Sequence, residues 1–321
     1  MPTLHSTKRV LVLGAQGYIG RTVSRALAAH GAFTPRMAGR RADAEIVLDA
    51  TDTNALGRAV ASVDAVVNCV AGSPDTMVRN AQALKHALQQ HPRPLVHFSS
   101  MAAYGAVRGR IDEQHPLKGD LGPYSAAKAQ AESILAEVPG RVVLRPGCVY
   151  GLGSPQWSQR IARLLRARRI GDLGSAGDAC SNLVYVDDVT QAVITCLLRP
   201  EVANGAYNLA MRDAPDWNTY FFTYAKALGA VPITRVGARR LALETKLVAP
   251  ALKILDIAAH KARLHGLALP PPIPPSLARL WRQDIRLDSS AAEARLGLTW
   301  TPLAEGLRRS TDVSATGTRT S

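Results

Sequence analysis

Val10-Leu-Val-Leu13 runs straight into Gly14-Ala-Gln-Gly17-Tyr-Ile-Gly20, and the reading of this stretch decides the fold. The four aliphatic residues form the short apolar run of a buried strand. Tyr18 to Leu27 then carries apolar residues at helical spacing, so strand and helix meet at the glycines. Gly14 permits a tight turn, Gly17 lets backbone approach a pyrophosphate, and Gly20 lets the helix lie close to the strand. The helix N-terminus at Tyr18 and Ile19 offers unpaired N–H groups to the anion. The spacing is G-x-x-G-x-x-G, a variant of the G-x-G-x-x-G fingerprint. A Gly-rich strand-to-helix turn that binds nothing is the plain alternative.

Outward from this turn, strand-like and helical stretches alternate. Strands are predicted at Val10–Leu13, Pro35–Ala38, Glu45–Leu48, Ala65–Cys69, Leu95–Ser99 and Val142–Arg145, with helical periodicity over Thr76–Gln90 and Ser125–Glu137. Such alternation predicts an α/β fold, a Rossmann-type doubly wound parallel sheet covered by helices on both faces. After Tyr150-Gly151 the rhythm breaks into Gly/Ser-rich loops, an Arg-rich helix and short strands such as Asn182–Val186. That break predicts a dinucleotide-binding domain over 1–151 with segments near 182–210. A smaller substrate-binding lobe is expected over 152–181 and 211–310, and a disordered tail over 311–321. Ligands of such sheets sit beyond the carboxyl ends of the strands, where Gly14, Asp49, Val70, Ser100 and Pro146 fall.

The chemistry gathers in Phe98-Ser-Ser100-Met-Ala-Ala-Tyr104-Gly105 and Pro123-Tyr124-Ser-Ala-Ala-Lys128. A free tyrosine has a pKa near 10, too high for an effective base at neutral pH. A lysine ammonium one helical turn away favours the phenolate, and a positive nicotinamide ring adds to that. Tyr124 can then take the proton of an alcohol or return one to an alkoxide. Taken singly, Tyr124 reads as a tyrosine at a helix start and Ser100 as a strand-end serine. Their joint spacing with the glycine turn is what points to a proton-transfer site beside a dinucleotide.

Coenzyme preference is read further along the same unit. About 20 residues beyond Gly20, where an NAD enzyme carries an acidic residue for the ribose 2′-hydroxyl, stands Ala38-Gly39-Arg40-Arg41. Arginine there can pair bidentately with a 2′-phosphate. NADP(H) is therefore expected over NAD(H), read by Arg40, while the nearby Asp43 keeps NAD(H) in play.

Composition excludes several classes. The chain has 321 residues, enough for one large α/β domain or two. No apolar run reaches the length of a membrane span, and no signal-peptide core precedes the glycine turn. Cys69, Cys148, Cys180 and Cys196 are scattered without a C-x-x-C pair, which suits reduced thiols in the cytoplasm. The eight histidines show no ligand spacing, and no metal is expected. Net charge is +14, from 39 Lys+Arg against 25 Asp+Glu. Its densest run, Arg160 to Arg169, has Ile161, Leu164 and Leu165 on one face and reads as an amphipathic helix with a solvated basic side. Without aromatic interleaving or a recognisable module it points to no specific nucleic acid. A binding surface for an anionic substrate is the better functional use, and an ordinary basic helix face the plainer reading. The partner expected is a small-molecule substrate, with a homodimer left open.

Together these residues resemble the extended short-chain dehydrogenase/reductase family, also called the NAD-dependent epimerase/dehydratase family, over nearly the whole chain. Asp49-Ala50 is similar to the family's adenine-contacting pair. Val67-Asn-Cys-Val70-Ala71-Gly72 resembles the turn under the nucleotide, and Asn80 the helix asparagine beside it. Asp112-Glu-Gln-His-Pro116 resembles the segment before the family's tyrosine, and Arg145-Pro146-Gly-Cys-Val-Tyr-Gly151 its R-P-x-x-V-Y-G turn. Asn182-Leu-Val-Tyr-Val-Asp-Asp188 and Gly205-Ala-Tyr-Asn-Leu209 resemble later signatures. The resemblance implies that Ser100, Tyr124 and Lys128 are catalytic and that Lys128 also binds the nicotinamide ribose.

It also narrows the reaction. The sugar-nucleotide dehydratases of the family carry Asp-Glu after the catalytic Ser/Thr, where this chain has Met101-Ala102. The sugar-nucleotide epimerases usually carry an arginine where Asp178-Ala-Cys-Ser-Asn182 stands. Leu241–His265, followed by Pro270-Pro-Pro-Ile-Pro-Pro275, resembles the apolar lid of hydroxysteroid-type and aldehyde/ketone reductases. A packing helix is the alternative for that stretch, and membrane-surface contact a lesser one. The function expected is an NAD(P)-dependent oxidoreductase acting on a secondary alcohol or ketone. A sugar-nucleotide epimerase with tightly bound NAD is the alternative. A nucleotide-sensing protein without catalysis is disfavoured by the intact Ser100/Tyr124/Lys128 set.

Overall fold

The structure, a computed structural model, describes residues 7–248 and 272–311. The strands are β1 (Lys8–Leu13), β2 (Phe33–Gly39), β3 (Ile46–Val47), β4 (Ala65–Asn68), β5 (Leu95–Phe98), β6 (Gly109–Ile111), β7 (Arg141–Pro146), β8 (Cys148–Tyr150), β9 (Leu183–Tyr185), β10 (Ala206–Leu209) and β11 (Ile285–Leu287). The helices used below are α1 (Tyr18–His30), α2 (Thr53–Ala61), α3 (Pro74–Gln90), α4 (Pro123–Leu135), α5 (Arg160–Arg166), α6 (Val186–Leu198), α7 (Trp217–Ala227) and α8 (Ala238–Leu243).

Seven strands form one parallel sheet in the order β10-β7-β5-β4-β1-β2-β3. The chain leaves β1 toward β2 and β3, then returns past β1 to β4, so the winding reverses between β1 and β4. Strands buried on both faces read as continuous apolar runs. Leu11 and Leu13 join Val66, Leu95, Leu56, Leu84 and Leu135 in the core under α2, α3 and α4. Val10, Val12 and Val67 alternate to the opposite face and are equally buried, where α1 packs against α6. Pro35 lies inside β2, a position usually closed to proline. It is tolerated because β3 pairs only with Ala38 and Gly39, leaving the outer edge at Pro35 without a ladder.

Every strand predicted from the apolar runs falls on an observed one, with ends shifted by a residue or two. The edge strand β10 was not among them. Its four residues are too few to declare a period, and it is a strand because β7 templates it.

By contacts the chain resolves into two compact units. The first holds Met1–Val149, Val184–Arg212 and Leu287–Trp300. The second holds Tyr150–Leu183, Asp213–Arg286 and Thr301–Ser321. In the second, α7 is built around aromatic rings: Trp217 and Phe221 are fully buried, and Trp217 meets Trp157 at 5.5 Å with the rings tilted by 34° while Phe221 meets Trp281 edge-on. Asp216 starts α7 by accepting from the Thr219 amide at 2.6 Å. Of the basic helix predicted over Arg160–Arg169, α5 covers Arg160–Arg166, with Ile161, Leu164 and Leu165 buried and Arg163 and Arg166 exposed, while Arg169 beyond it turns inward and is buried. Of the apolar stretch 241–265, the part beyond Val248 lies outside the described residues, as does most of the expected tail.

Candidate active site

Three backbone ends of the first unit meet around the reversal point. After β1, Gly14 takes φ +71° and lies so close to the chain after β4 that a Cβ on it would stand 2.9 Å from the Cys69 carbonyl oxygen. A Cβ on Gly20 would stand 2.3 Å from the Gly14 oxygen, so α1 can seat against the turn only without a side chain there. Gly17 is the exposed N-cap of α1, and no side chain caps that end. The first turn at Tyr18 and Ile19 thus presents its positive end beside an open glycine. The Tyr18 hydroxyl is buried without a partner among the described residues, and burial raises its pKa, so it is held as a neutral donor.

The floor of this region is a buried amide network. Asn68, at the end of β4, donates to Asn80 Oδ1 on α3 at 2.8 Å and faces His97 Nδ1 on β5 at 3.1 Å. Its own Oδ1 accepts from the Val70 amide at 3.3 Å. Asn80 in turn donates to the Ala50 carbonyl at 2.9 Å. Asn80 is therefore fully engaged and buried, and it fixes Ala50 and, through Asn68, Val70. Ala71 follows exposed, and Pro146 closes β7 buried. Burial pushes His97 down to about 3, with the Lys128 charge adding to the effect, so the ring is neutral.

Arg40 leaves the end of β2 exposed and, among the described residues, pairs with no carboxylate. The neighbouring acid is taken: Asp43 accepts from Gln16 at 2.6 Å and from Arg41 at 2.5 Å. Asp49 holds Thr51 through its amide and hydroxyl at 2.9 Å each. Those bonds keep its pKa below the usual carboxylate value, with Arg40 and Arg79 adding to the shift.

At the end of β5 the chain builds the third part. Ser100 N-caps a short 3-10 turn, Met101–Tyr104, accepting the Ala102 amide at 3.2 Å. Pro123 and Tyr124 open α4, and Ser125 ties that turn back by donating to the Ala102 carbonyl at 2.6 Å. Tyr124 is 47% exposed as a whole; its hydroxyl lies beside Ser100, which lowers its pKa, while desolvation of that hydroxyl, the larger effect, raises it. The Lys128 ammonium donates to the Phe98 carbonyl at 2.8 Å and lies 6.0 Å from the centre of the Tyr124 ring. Burial lowers Lys128 to about 8, partly opposed by Cys69 and Glu132. In the protein alone, with no nicotinamide ring beside it, desolvation of the Tyr124 hydroxyl holds its pKa above the free value.

Sequence reading missed what holds this part together. Arg145 makes a buried ion pair with Glu132, its Nε donating to both carboxylate oxygens at 3.1 Å and Nη2 to one at 2.7 Å. Its Nη1 donates to the Tyr104 hydroxyl at 2.9 Å, and Tyr104 donates to Asn208 at 2.7 Å. One guanidinium thus joins α4, the Ser100 turn and, through Tyr104, the edge strand β10. A signal was present: Glu132 follows Lys128 by one helical turn, on the face that buries Ala131 and Leu135.

The arrangement fits a dinucleotide. A side-chain-free cradle, an uncapped helix end, an orphaned buried hydroxyl and a free arginine at the end of β2 are the donors a pyrophosphate and a phosphorylated ribose require. Among the described residues no cluster of metal-ligating side chains occurs, and no helix is long and apolar enough to cross a membrane.

Comparison with known proteins agrees with this geometry. The profile of the NAD dependent epimerase/dehydratase family matches residues 10–210. A dTDP-4-dehydrorhamnose reductase of Aggregatibacter actinomycetemcomitans is 23% identical over 224 residues, covering 65% of this chain and 75% of its own. A Stigmatella aurantiaca 4-hydroxy-2-methyl-3-oxo-4-farnesyl-3,4-dihydroquinoline-1-oxide ketoreductase is 25% identical over 283 residues, covering 80% and 79%. In fold, a human epimerase family protein solved with NADPH superposes with a TM-score of 0.71 at 19% identity, covering 95% of this chain and 99% of its own. A Thermotoga maritima UDP-glucose 4-epimerase with UDP-glucose gives 0.70 at 17% identity, covering 96% and 98%.

Proposed function

Because the chain belongs to the NAD-dependent epimerase/dehydratase family, we propose that it is an NADP(H)-dependent oxidoreductase interconverting a ketone or aldehyde and its alcohol, with Ser100, Tyr124 and Lys128 as catalytic residues. Its relatives are NAD(P)-dependent reductases and epimerases, and the chain is an enzyme of that kind. The observation that carries the finer reading is the tie of Ser125 to the Ala102 carbonyl, which sets the Tyr124 hydroxyl beside Ser100 with the Lys128 ammonium 6.0 Å from the Tyr124 ring centre.

When bound, the nicotinamide supplies or accepts the hydride. Ser100 donates a hydrogen bond to the substrate oxygen and holds it within reach of Tyr124. In reduction the Tyr124 phenol gives its proton to that oxygen; in oxidation the phenolate takes it back. Lys128 stabilises the phenolate and holds the ribose hydroxyls. Gly14, Gly17, Gly20, Tyr18 and Ile19 receive the pyrophosphate, and Arg40 the 2′-phosphate. Asp49 and Ala50 border the adenine, Val70, Ala71 and Asn80 form the floor, and Pro146 borders the nicotinamide end. The second unit binds the substrate, and the scattered thiols suit the cytoplasm.

Two features favour net redox over epimerisation. Arg40 is free while Asp43 is occupied by Gln16 and Arg41, which suits NADP(H). The segment 178–182 lacks the arginine usual in sugar-nucleotide epimerases. The test is mass and absorbance analysis of the supernatant from denatured protein, with NADPH consumption on added ketones. The expected result is protein largely free of coenzyme that consumes NADPH stoichiometrically. Stoichiometric NAD(H) released from the protein, with a substrate isomerised without added coenzyme, would assign an epimerase instead.

A further inference from the structure

The second unit carries an exposed surface that the proposed chemistry does not use. Helix α8 continues into the turn Glu244–Val248, and this segment has two unlike sides. Leu241 and Thr245, four residues apart, face inward, and Glu244 is pinned by an ion pair with the buried Arg169. On the outer stripe Arg239, Leu243 and Leu247 recur at intervals of four, flanked by Arg240 and Lys246. Leu243 is 52% and Leu247 63% exposed.

The end of α5 lies alongside. Arg240 donates to the Arg168 carbonyl at 3.3 Å, which ties α8 to the chain leaving α5, where Arg163, Arg166 and Arg168 are exposed. The acids that could neutralise this cluster are spent: Glu244 on Arg169, and Asp172 on Arg235. Among the described residues none of Arg163, Arg166, Arg168, Arg239 and Arg240 pairs with a carboxylate.

Single exposed leucines are ordinary. Two on one stripe, rimmed by unpaired arginines, demand an occupant that is both apolar and anionic. A second copy of this face would set arginine against arginine. A nucleic acid would take the arginines and leave the leucines in water, and the patch offers no aromatic ring for bases to stack on. An anionic bilayer satisfies both sets, with headgroup phosphates on the arginines and the leucines entering the headgroup–acyl boundary. We propose that the face formed by α8 and the end of α5 docks on a membrane surface containing anionic phospholipid.

The test is vesicle flotation of the full-length protein with phosphatidylcholine alone and with phosphatidylcholine containing phosphatidylglycerol, in low and high salt. Binding is expected to the anionic vesicles and to fall steeply with salt. Arg239→Gln/Arg240→Gln and Leu243→Asn/Leu247→Asn should each weaken it by about tenfold or more. Unchanged thermal unfolding of both variants certifies that they fold. No wild-type binding, equal binding to neutral vesicles, or full binding by both variants would overturn the proposal. So would duplex DNA binding that the leucine variant retains undiminished, which would assign the face to nucleic acid.

Discussion

Acidification should loosen the first unit through one buried ring. His97 is 3% exposed on β5, its Nδ1 facing the Asn68 amide and its Nε2 without a partner. Burial holds its folded pKa at about 3, against 6.5 for the free ring. Between those values the unfolded chain binds a proton that the folded chain refuses, so stability rises with pH across this window and is lost as pH falls from 6.5. At pH 5 the unfolded ring lies 1.5 units below its pKa, and at about 1.36 kcal/mol per unit the loss is about 2 kcal/mol. A charged His97 would also surrender its acceptor role toward Asn68 and face the Lys128 ammonium, so the segments at Val70 and Ala50 held by the Asn68–Asn80 network are where opening should begin. The assay is hydrogen-exchange mass spectrometry of peptides covering β4 and β5 at pH 7, 6 and 5, corrected for intrinsic rates. The opening free energy should drop by about 2 kcal/mol over that range in the wild type. His97→Gln, which has no charge to gain, should start lower and stay flat. Parallel slopes in the two proteins would refute the reasoning, whatever their absolute stabilities.

Three further outcomes test other parts of the site. Tyr124→Phe should lower turnover by about 10²-fold or more with coenzyme affinity unchanged, and Lys128→Met should damage both; wild-type turnover in Tyr124→Phe with chemistry rate-limiting contradicts the assignment. Arg40→Ala should weaken NADP(H) by about tenfold or more and leave NAD(H) binding unaltered, as read by titrating both coenzymes. Glu132→Leu strands a guanidinium in the core and should cost about 3–5 kcal/mol. The double variant Glu132→Leu/Arg145→Met should recover most of that in thermal unfolding, and a double variant no better than the single one would show that charge is not the cause.

What was legible in the sequence is what local rules determine. The apolar runs, the glycine turn and the one-turn spacing of Tyr124 and Lys128 each depend on neighbours within a few residues, and each lands where expected. What stayed hidden depends on sheet order. His97 meets Asn68 because β5 pairs with β4 in a register that sets those two residues side by side. Arg145 reaches Glu132 because β7 lies under α4. Nothing local announces that Asn80 turns inward to hold Ala50, nor that Leu287–Trp300 returns to the first unit after a long excursion.

A lysine one turn away and a positive nicotinamide ring both favour the Tyr124 phenolate, the ring only when coenzyme is bound. In the protein alone desolvation of the hydroxyl opposes them, although the tyrosine as a whole is half exposed. Lys128 spends its ammonium on the Phe98 carbonyl, and at 6.0 Å from the ring centre it does not offset the desolvation of the phenol. The same burial that raises Tyr124 lowers Lys128 to about 8, so below that pH the protein alone holds a neutral phenol beside a charged amine. A neutral phenol is the proton-donating form. Within the proposed reaction this resting state is the one that reduction requires, and oxidation must first ionise Tyr124 against the cost of its own surroundings.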